Sequence, residues 1–221
     1  MNDKANDSRR TGLLRLRHLR EVSEAKGEEM ADARERFARL ADKDSAPRVV
    51  SAFNLFQTPE PLAARLVELL TEGGRDLGRV LEPSAGLGRL YRAVRATSSA
   101  CPVVLVDNSR DCCGELYRAT EGDPAARLIA GDFLTTDAER LGGAFDSAVM
   151  NPPFKNGADV KHVRHALELL AKGGRLVSVV AAGPKQRAAV ASSATRWIDL
   201  PAGSFKSEGT SVAAALVVFD K

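Results

Sequence analysis

The sequence predicts an α/β protein: a seven-stranded, mostly parallel sheet with an antiparallel last strand, helices on both faces, and a helical arm at the N-terminus. Three observations predict it. Short runs rich in Val, Leu and Ile alternate with stretches of helical apolar spacing, the order expected of strands joined by crossover helices. The run 176–181 is almost wholly apolar, as a strand covered on both faces requires. The runs 196–200 and 212–219 leave no room for a helix between them, so they are expected to pair antiparallel.

Residues 1–46 are the expected arm, because the stretch 9–40 is dense in Arg, Glu and Ala and lacks proline. Leu16, Leu19, Met30, Ala33, Phe37 and Leu40 fall on heptad a and d positions, but Ser23 and Lys26 break the seam. The arm therefore reads as a helix that packs on its own domain or docks a second copy or partner; contact with nucleic acid and disorder are the other readings. The domain 47–221 begins at a linker around Pro47. Thr58 is the expected N-cap of a helix over 59–71, with Pro59 and Pro61 in its first turn. A strand at 79–81 runs into Gly86-Leu87-Gly88, which opens a helix to about residue 96. Strands follow at 103–106, 127–130 and 147–150, with a helix over 109–119 after the first of them. Val160, Val163, Leu167 and Leu170 mark a helix over 159–171, with Gly173-Gly174 as its expected C-cap. The buried strand at 176–181 and a helix at 184–193 precede the final antiparallel pair.

Apolar residues at 44% and charged residues at 28% are ordinary for a globular protein and exclude wholesale disorder. No apolar run approaches the roughly 20 residues of a membrane helix, and Met-Asn-Asp-Lys lacks the layout of a signal peptide. The expectation is a soluble, cytoplasmic protein without membrane contact. Three cysteines, with Cys112 and Cys113 adjacent, are too few and too clustered for a disulfide framework, and inert thiols are expected. A net charge of +3 permits an anionic partner without demanding one.

The chemistry sits at strand ends. Val80-Leu81-Glu82-Pro83-Ser84-Ala85-Gly86-Leu87-Gly88 places a carboxylate at the tip of one strand, then a glycine-bearing turn where a ligand can meet helix amides; a plain tight turn uses the same residues. Asp107 ends the next strand, where a carboxylate can accept from both hydroxyls of a ribose or, more simply, cap the following helix. Gly131-Asp132-Phe133 offers a carboxylate for an adenine amino group and an aromatic face. Asn151-Pro152-Pro153-Phe154 is the most specific feature: two prolines remove two backbone donors, leaving an acceptor-rich turn beside an aromatic ring. Such a turn suits a planar NH₂ nucleophile, whose hydrogens two acceptors can hold as the nitrogen becomes tetrahedral. His162 and His165 have a metal-compatible spacing but no further ligand cluster in sequence, so a solvated helix face and no metal are expected.

On these motifs the chain from 56 to 219 resembles the class I S-adenosylmethionine-dependent methyltransferases, most closely the DNA adenine N6-methyltransferases of the Asn-Pro-Pro-Phe type. The resemblance implies a Rossmann-like fold and S-adenosylmethionine as cofactor. It assigns Glu82, Ser84, Gly86 and Gly88 to the methionine end, Asp107 to the ribose, and Asp132 with Phe133 to the adenine. Asn151, Pro152 and Phe154 would hold the target amine and its ring. Phe56-Gln57-Thr58-Pro59 resembles the segment that closes over the cofactor carboxylate, with Phe56 and Thr58 in contact. In the connection between the last strands, Phe205 is a second stacking face and Lys206 a phosphate contact, with Lys155 another.

The chain after Phe154 is filled by core strands and helices, so no target-recognition domain of the DNA enzymes fits there. DNA is the leading partner; RNA, a protein glutamine amide and a non-catalytic methyltransferase-like subunit are the alternatives. Carbon methylation of cytosine is excluded, because Cys101 precedes Pro102 and the order needed for a nucleophilic Pro-Cys is reversed.

Overall fold

The computed structural model describes residues 57–221; Phe56 and the arm over 1–46 lie outside the described residues. Among the described residues there are seven strands: β1 (Val80–Pro83), β2 (Val103–Asp107), β3 (Ala126–Ala130), β4 (Phe145–Met150), β5 (Leu170–Ala181), β6 (Arg196–Asp199) and β7 (Ala214–Asp220). They form one sheet in the order β3-β2-β1-β4-β5-β7-β6. The first five pair in parallel, while β7 runs antiparallel to both β5 and β6. Both the mixed sheet and its antiparallel end follow the sequence expectation.

Helices α1 (Glu60–Thr71), α2 (Arg89–Thr97), α3 (Arg110–Ala119), α4 (Ala138–Leu141), α5 (Ala158–Leu169) and α6 (Pro184–Val190) flank it. The alternation of strand residues decides which helix goes where. Val80, Val103, Leu105, Val149 and Val177 join Leu66, Leu69 and Leu70 of α1 with Leu90, Tyr91 and Val94 of α2 on one face. Leu81, Val104, Val106, Ala148 and Leu176 join Leu141 of α4, Val163, Ala166 and Leu169 of α5 and Val190 of α6 on the other. Each Val or Leu among them contributes roughly 1.5–3 kcal/mol when fully buried. That burial holds α1 without help from a cap, because its N-cap is Pro59 and makes no side-chain hydrogen bond.

Two local expectations are corrected. Thr58 does not cap α1; it is buried, and its hydroxyl accepts from Asn151 Nδ2 at 3.1 Å. Gly173-Gly174 does not close α5, which ends at Leu169 with Leu170 already extended and paired with Phe145. The two glycines lie inside β5 and exchange backbone bonds with Lys221, at 2.7 Å from the Gly173 amide and 2.9 Å to the Gly174 carbonyl. A Cβ at Gly174 would stand 3.0 Å from the carbonyl oxygens of both Ala171 and Asp146, so close backbone approach explains the glycine there.

Among the described residues, no helix is long and apolar enough to cross a membrane. The sheet order reverses between β1 and β4, the neighbours from which the two halves run in opposite directions. In open α/β sheets ligands lodge beyond the carboxyl ends of strands at that point.

Candidate active site

A cavity of about 420 Å³ opens at the carboxyl ends of β1, β2, β3 and β4, and the groups predicted at all four tips line it. Thr58, Glu82, Ser84, Gly86, Asp107, Asp132, Phe133, Asn151, Pro152, Phe154 and Phe205 all border this space. Gly88 does not border it but supplies the N-cap of α2 in the left-handed conformation, with φ 74°. Lys155 and Lys206 are exposed and are not among the residues that line the cavity, although each directly follows one that is, Phe154 and Phe205.

The β1 turn is built for close approach. Ser84 and Gly86 have φ of 58° and 56°. For a non-glycine residue such as Ser84 this conformation costs roughly 1–2 kcal/mol, which the surrounding contacts must outweigh. Asp107 supplies some of them: Oδ2 accepts from the Gly86 amide at 2.8 Å and Oδ1 from the Ser109 amide at 2.8 Å. It is therefore neither solvated nor a simple cap, but a stitch between the tips of β1 and β2. A carboxylate has about four acceptor positions, so these two bonds leave capacity for ribose hydroxyls. Asp132 is exposed, and its Oδ1 accepts from the Leu134 amide at 3.0 Å.

Glu82 is the electrostatic centre of the cavity. It is 1% exposed, and neither carboxylate oxygen has a hydrogen-bond partner. Burial drives its carboxyl well above the usual carboxylate range; Arg92 pulls against that, Asp107 adds to it, and the Tyr91 amide, which is close but outside hydrogen-bond geometry, opposes it least. A buried acid without a partner costs several kcal/mol if ionised and 1–3 kcal/mol even if neutral. Such a group is best explained by a cationic or donor ligand.

At the tip of β4, Asn151 is oriented by its donor end, with Nδ2 held by Thr58 Oγ1. Pro152 is buried and Phe154 is half-buried against the core beneath α1 and α2. Phe205 closes the cavity from the connection between β6 and β7 and is 2% exposed, so it serves the core as well as the wall.

Arg89, Gln57 and His162 are lining groups to which sequence reasoning gave no role in the site. Arg89, the first residue of α2, donates from Nε to Gln57 Oε1 at 3.0 Å and from Nη1 to Glu60 Oε1 at 2.8 Å. Gln57 itself lines the cavity, as does His162. His162 is a correction: the solvated face expected for it is buried, with Nδ1 2.8 Å from the Ala158 carbonyl and the ring 5.6 Å from that of Phe133. His165 flanks the same phenyl ring edge-on at 4.7 Å and reaches the Thr136 carbonyl at 2.9 Å. The pair clamps Phe133, which the i, i+3 spacing and the predicted aromatic tip together could have suggested. Cys112 and Cys113 are free thiols raised by burial, as the sequence implied.

Burial pushes the His162 imidazole below its ordinary 6.5; the Ala158 carbonyl, Asp132 and Asp159 oppose this, while His165 reinforces it. The folded protein thus binds this proton less readily than the unfolded chain. Its contribution to stability is full above pH 6.5 and is lost as pH falls toward the depressed value. His162→Phe is expected to flatten the fall of Tm below pH 6.5, measured by calorimetry against the parent protein; an unchanged slope would assign the acid sensitivity elsewhere.

A family model described as the methyltransferase small domain matches residues 61–195. The rRNA N(6)-adenosine-methyltransferase metl-5 of Caenorhabditis elegans is 26% identical over 132 residues, covering 56% of this chain and 62% of that protein. Among solved structures, TrmN from Thermus thermophilus is similar at a TM-score of 0.59 and 22% identity, over 73% of this chain and 48% of TrmN. An rRNA methylase from Streptococcus thermophilus is similar at a TM-score of 0.51 and 15% identity, over 76% of this chain and 98% of that one. The chain thus spans less than two thirds of the length of the nematode relative and of TrmN. At these identities the structural likenesses establish the fold alone.

Proposed function

Since the chain belongs to the methyltransferase small-domain family and has the class I S-adenosylmethionine-dependent methyltransferase fold, we propose that it methylates the exocyclic N6 amine of adenine in RNA. One observation carries this reading: the acceptor-rich Asn151-Pro152-Pro153-Phe154 turn and the buried, unpartnered Glu82 border the same cavity. The residues present fit the cofactor, because the orphaned Glu82 carboxylate is the partner an amino-acid ammonium would need.

S-Adenosylmethionine supplies an electrophilic methyl group on a sulfonium sulfur. Glu82 would hold its ammonium, Asp107 its ribose hydroxyls, and Asp132 with Phe133 its adenine. Asn151 Oδ1 and the Pro152 carbonyl accept the two amine hydrogens, favouring the tetrahedral nitrogen of the transition state over the planar ground state. Phe154 stacks on the target base, and Phe205 walls the opposite side. With the cofactor bound, Asn151 Oδ1 and the Pro152 carbonyl would hold the amine hydrogens, one of which is lost to solvent, while the target nitrogen takes up the methyl group from the sulfonium, which leaves as the neutral thioether. No covalent enzyme intermediate is required, and catalysis comes from orientation and the acceptor clamp.

The similarity to the nematode rRNA adenosine methyltransferase moves the proposal from DNA, which the sequence motifs favour, to RNA. Lys155 and Lys206, both exposed, are the residues assigned here to phosphate contacts outside the cavity. The test is transfer of labelled methyl to unmethylated ribosomal RNA, duplex DNA, single-stranded DNA and protein in parallel, with the modified unit identified by mass. N6-methyladenosine in RNA alone is expected. N6-methyladenine in DNA would restore the DNA reading, a methylated glutamine amide would make the substrate a protein, and cofactor binding without transfer to any of them would make the chain a non-catalytic subunit.

A further inference from the structure

We propose that Arg89 anchors the carboxylate of the cofactor's amino-acid end, exchanging Glu60 for that carboxylate when the site fills. The inference rests on the reading of the cavity as an S-adenosylmethionine site and adds a residue to it. An amino-acid tail is a zwitterion and needs an anion and a cation at its two ends. Three carboxylates line the cavity, Glu82, Asp107 and Asp132, but among the described lining residues Arg89 is the only lysine or arginine. Glu82 is 1% exposed with both oxygens unpartnered, so the wall of the same cavity already contains an unmet demand for a cationic group. Arg89 lies in that wall as the first residue of α2, immediately after the left-handed Gly88 that ends the β1 turn.

Its present partners are suited to exchange. The Arg89 side chain is 31% exposed and that of Glu60 82% exposed, with 2.8 Å between Nη1 and Oε1. Ion pairs as open as this contribute little to stability. A carboxylate brought into the cavity would form a better-desolvated, charge-assisted bond with the same guanidinium. Gln57, held by Arg89 Nε, precedes Thr58, whose hydroxyl fixes Asn151. Arg89 therefore stands at one end of a short relay of contacts that reaches the catalytic turn at the other.

The test is a binding cycle with two ligands on the full chain: S-adenosylhomocysteine and its decarboxylated form, 5′-S-(3-aminopropyl)-5′-thioadenosine. On the parent protein, removal of the ligand carboxylate is expected to raise Kd roughly 10- to 100-fold. Arg89→Gln is expected to raise Kd for S-adenosylhomocysteine by a similar factor, and to bind the decarboxylated ligand as the parent does. Equal weakening toward both ligands would make Arg89 a structural residue and overturn the assignment. Equal affinity of the parent for both ligands would overturn it without recourse to any variant. A parent protein that binds neither ligand would instead refute the cofactor reading itself.

Discussion

Asn151→Ala is expected to slow methyl transfer roughly 100- to 1,000-fold while S-adenosylhomocysteine affinity stays within about fivefold of the parent. The Asn151 acceptor meets the target nitrogen where it changes hybridisation, so the loss of that acceptor falls on the transition state rather than on the ground-state complex. The loss of the Nδ2 bond to Thr58 at 3.1 Å removes one neutral hydrogen bond near the cofactor, worth about 1 kcal/mol. Asn151→Asp separates the two roles. A carboxylate keeps the acceptor, and the Thr58 hydroxyl can reverse to donate to it, so this variant should retain activity within roughly tenfold of the parent. Single-turnover rates with titration of S-adenosylhomocysteine check both. An Asn151→Ala protein with an undiminished rate would remove the acceptor clamp from the mechanism.

The strand tips were legible because each carries a residue type that a tip rarely needs for folding alone: Glu82, Asp107, Asp132 and Asn151 all emerge at one edge of one sheet. The parallel order followed from alternation of strand and helix, and the antiparallel end from the missing helix between β6 and β7. Local punctuation misled where long-range pairing overrode it. Gly173-Gly174 looks like a C-cap, but pairing with Lys221 draws the glycines into β5. Thr58 looks like an N-cap, but Asn151, far away in sequence, takes its hydroxyl. His162 lies on a helix with charged neighbours, and its burial depends on Phe133, which only the fold brings beside it. Arg89 was invisible for a related reason, since an arginine at a helix start reads as solvated and its partners lie 29 and 32 residues earlier, Glu60 at the start of α1 and Gln57 in the segment before it.

Glu82→Gln should move stability and binding in opposite directions. Burial raises the carboxyl of the folded protein above its ordinary 4.5, so the folded state holds that proton longer than the unfolded chain does. The resulting stability is complete below pH 4.5 and is lost as pH rises through the native value. A glutamine has no such proton to lose, so the variant's Tm relative to the parent should climb as pH rises above 4.5, from parity at or below it. Binding should go the other way. The cofactor's ammonium requires the ionised carboxylate, and without that charge-assisted bond Kd for S-adenosylhomocysteine should rise about 100-fold, equivalent to roughly 2.7 kcal/mol. The same linkage makes the parent bind more tightly as pH rises and release a proton on binding, seen as a buffer-dependent enthalpy that disappears in the variant. If stability and affinity fell together in Glu82→Gln, the buried carboxylate would be a structural element. If they diverge, the fold tolerates an unpaired acid at the tip of β1 because the ligand completes it.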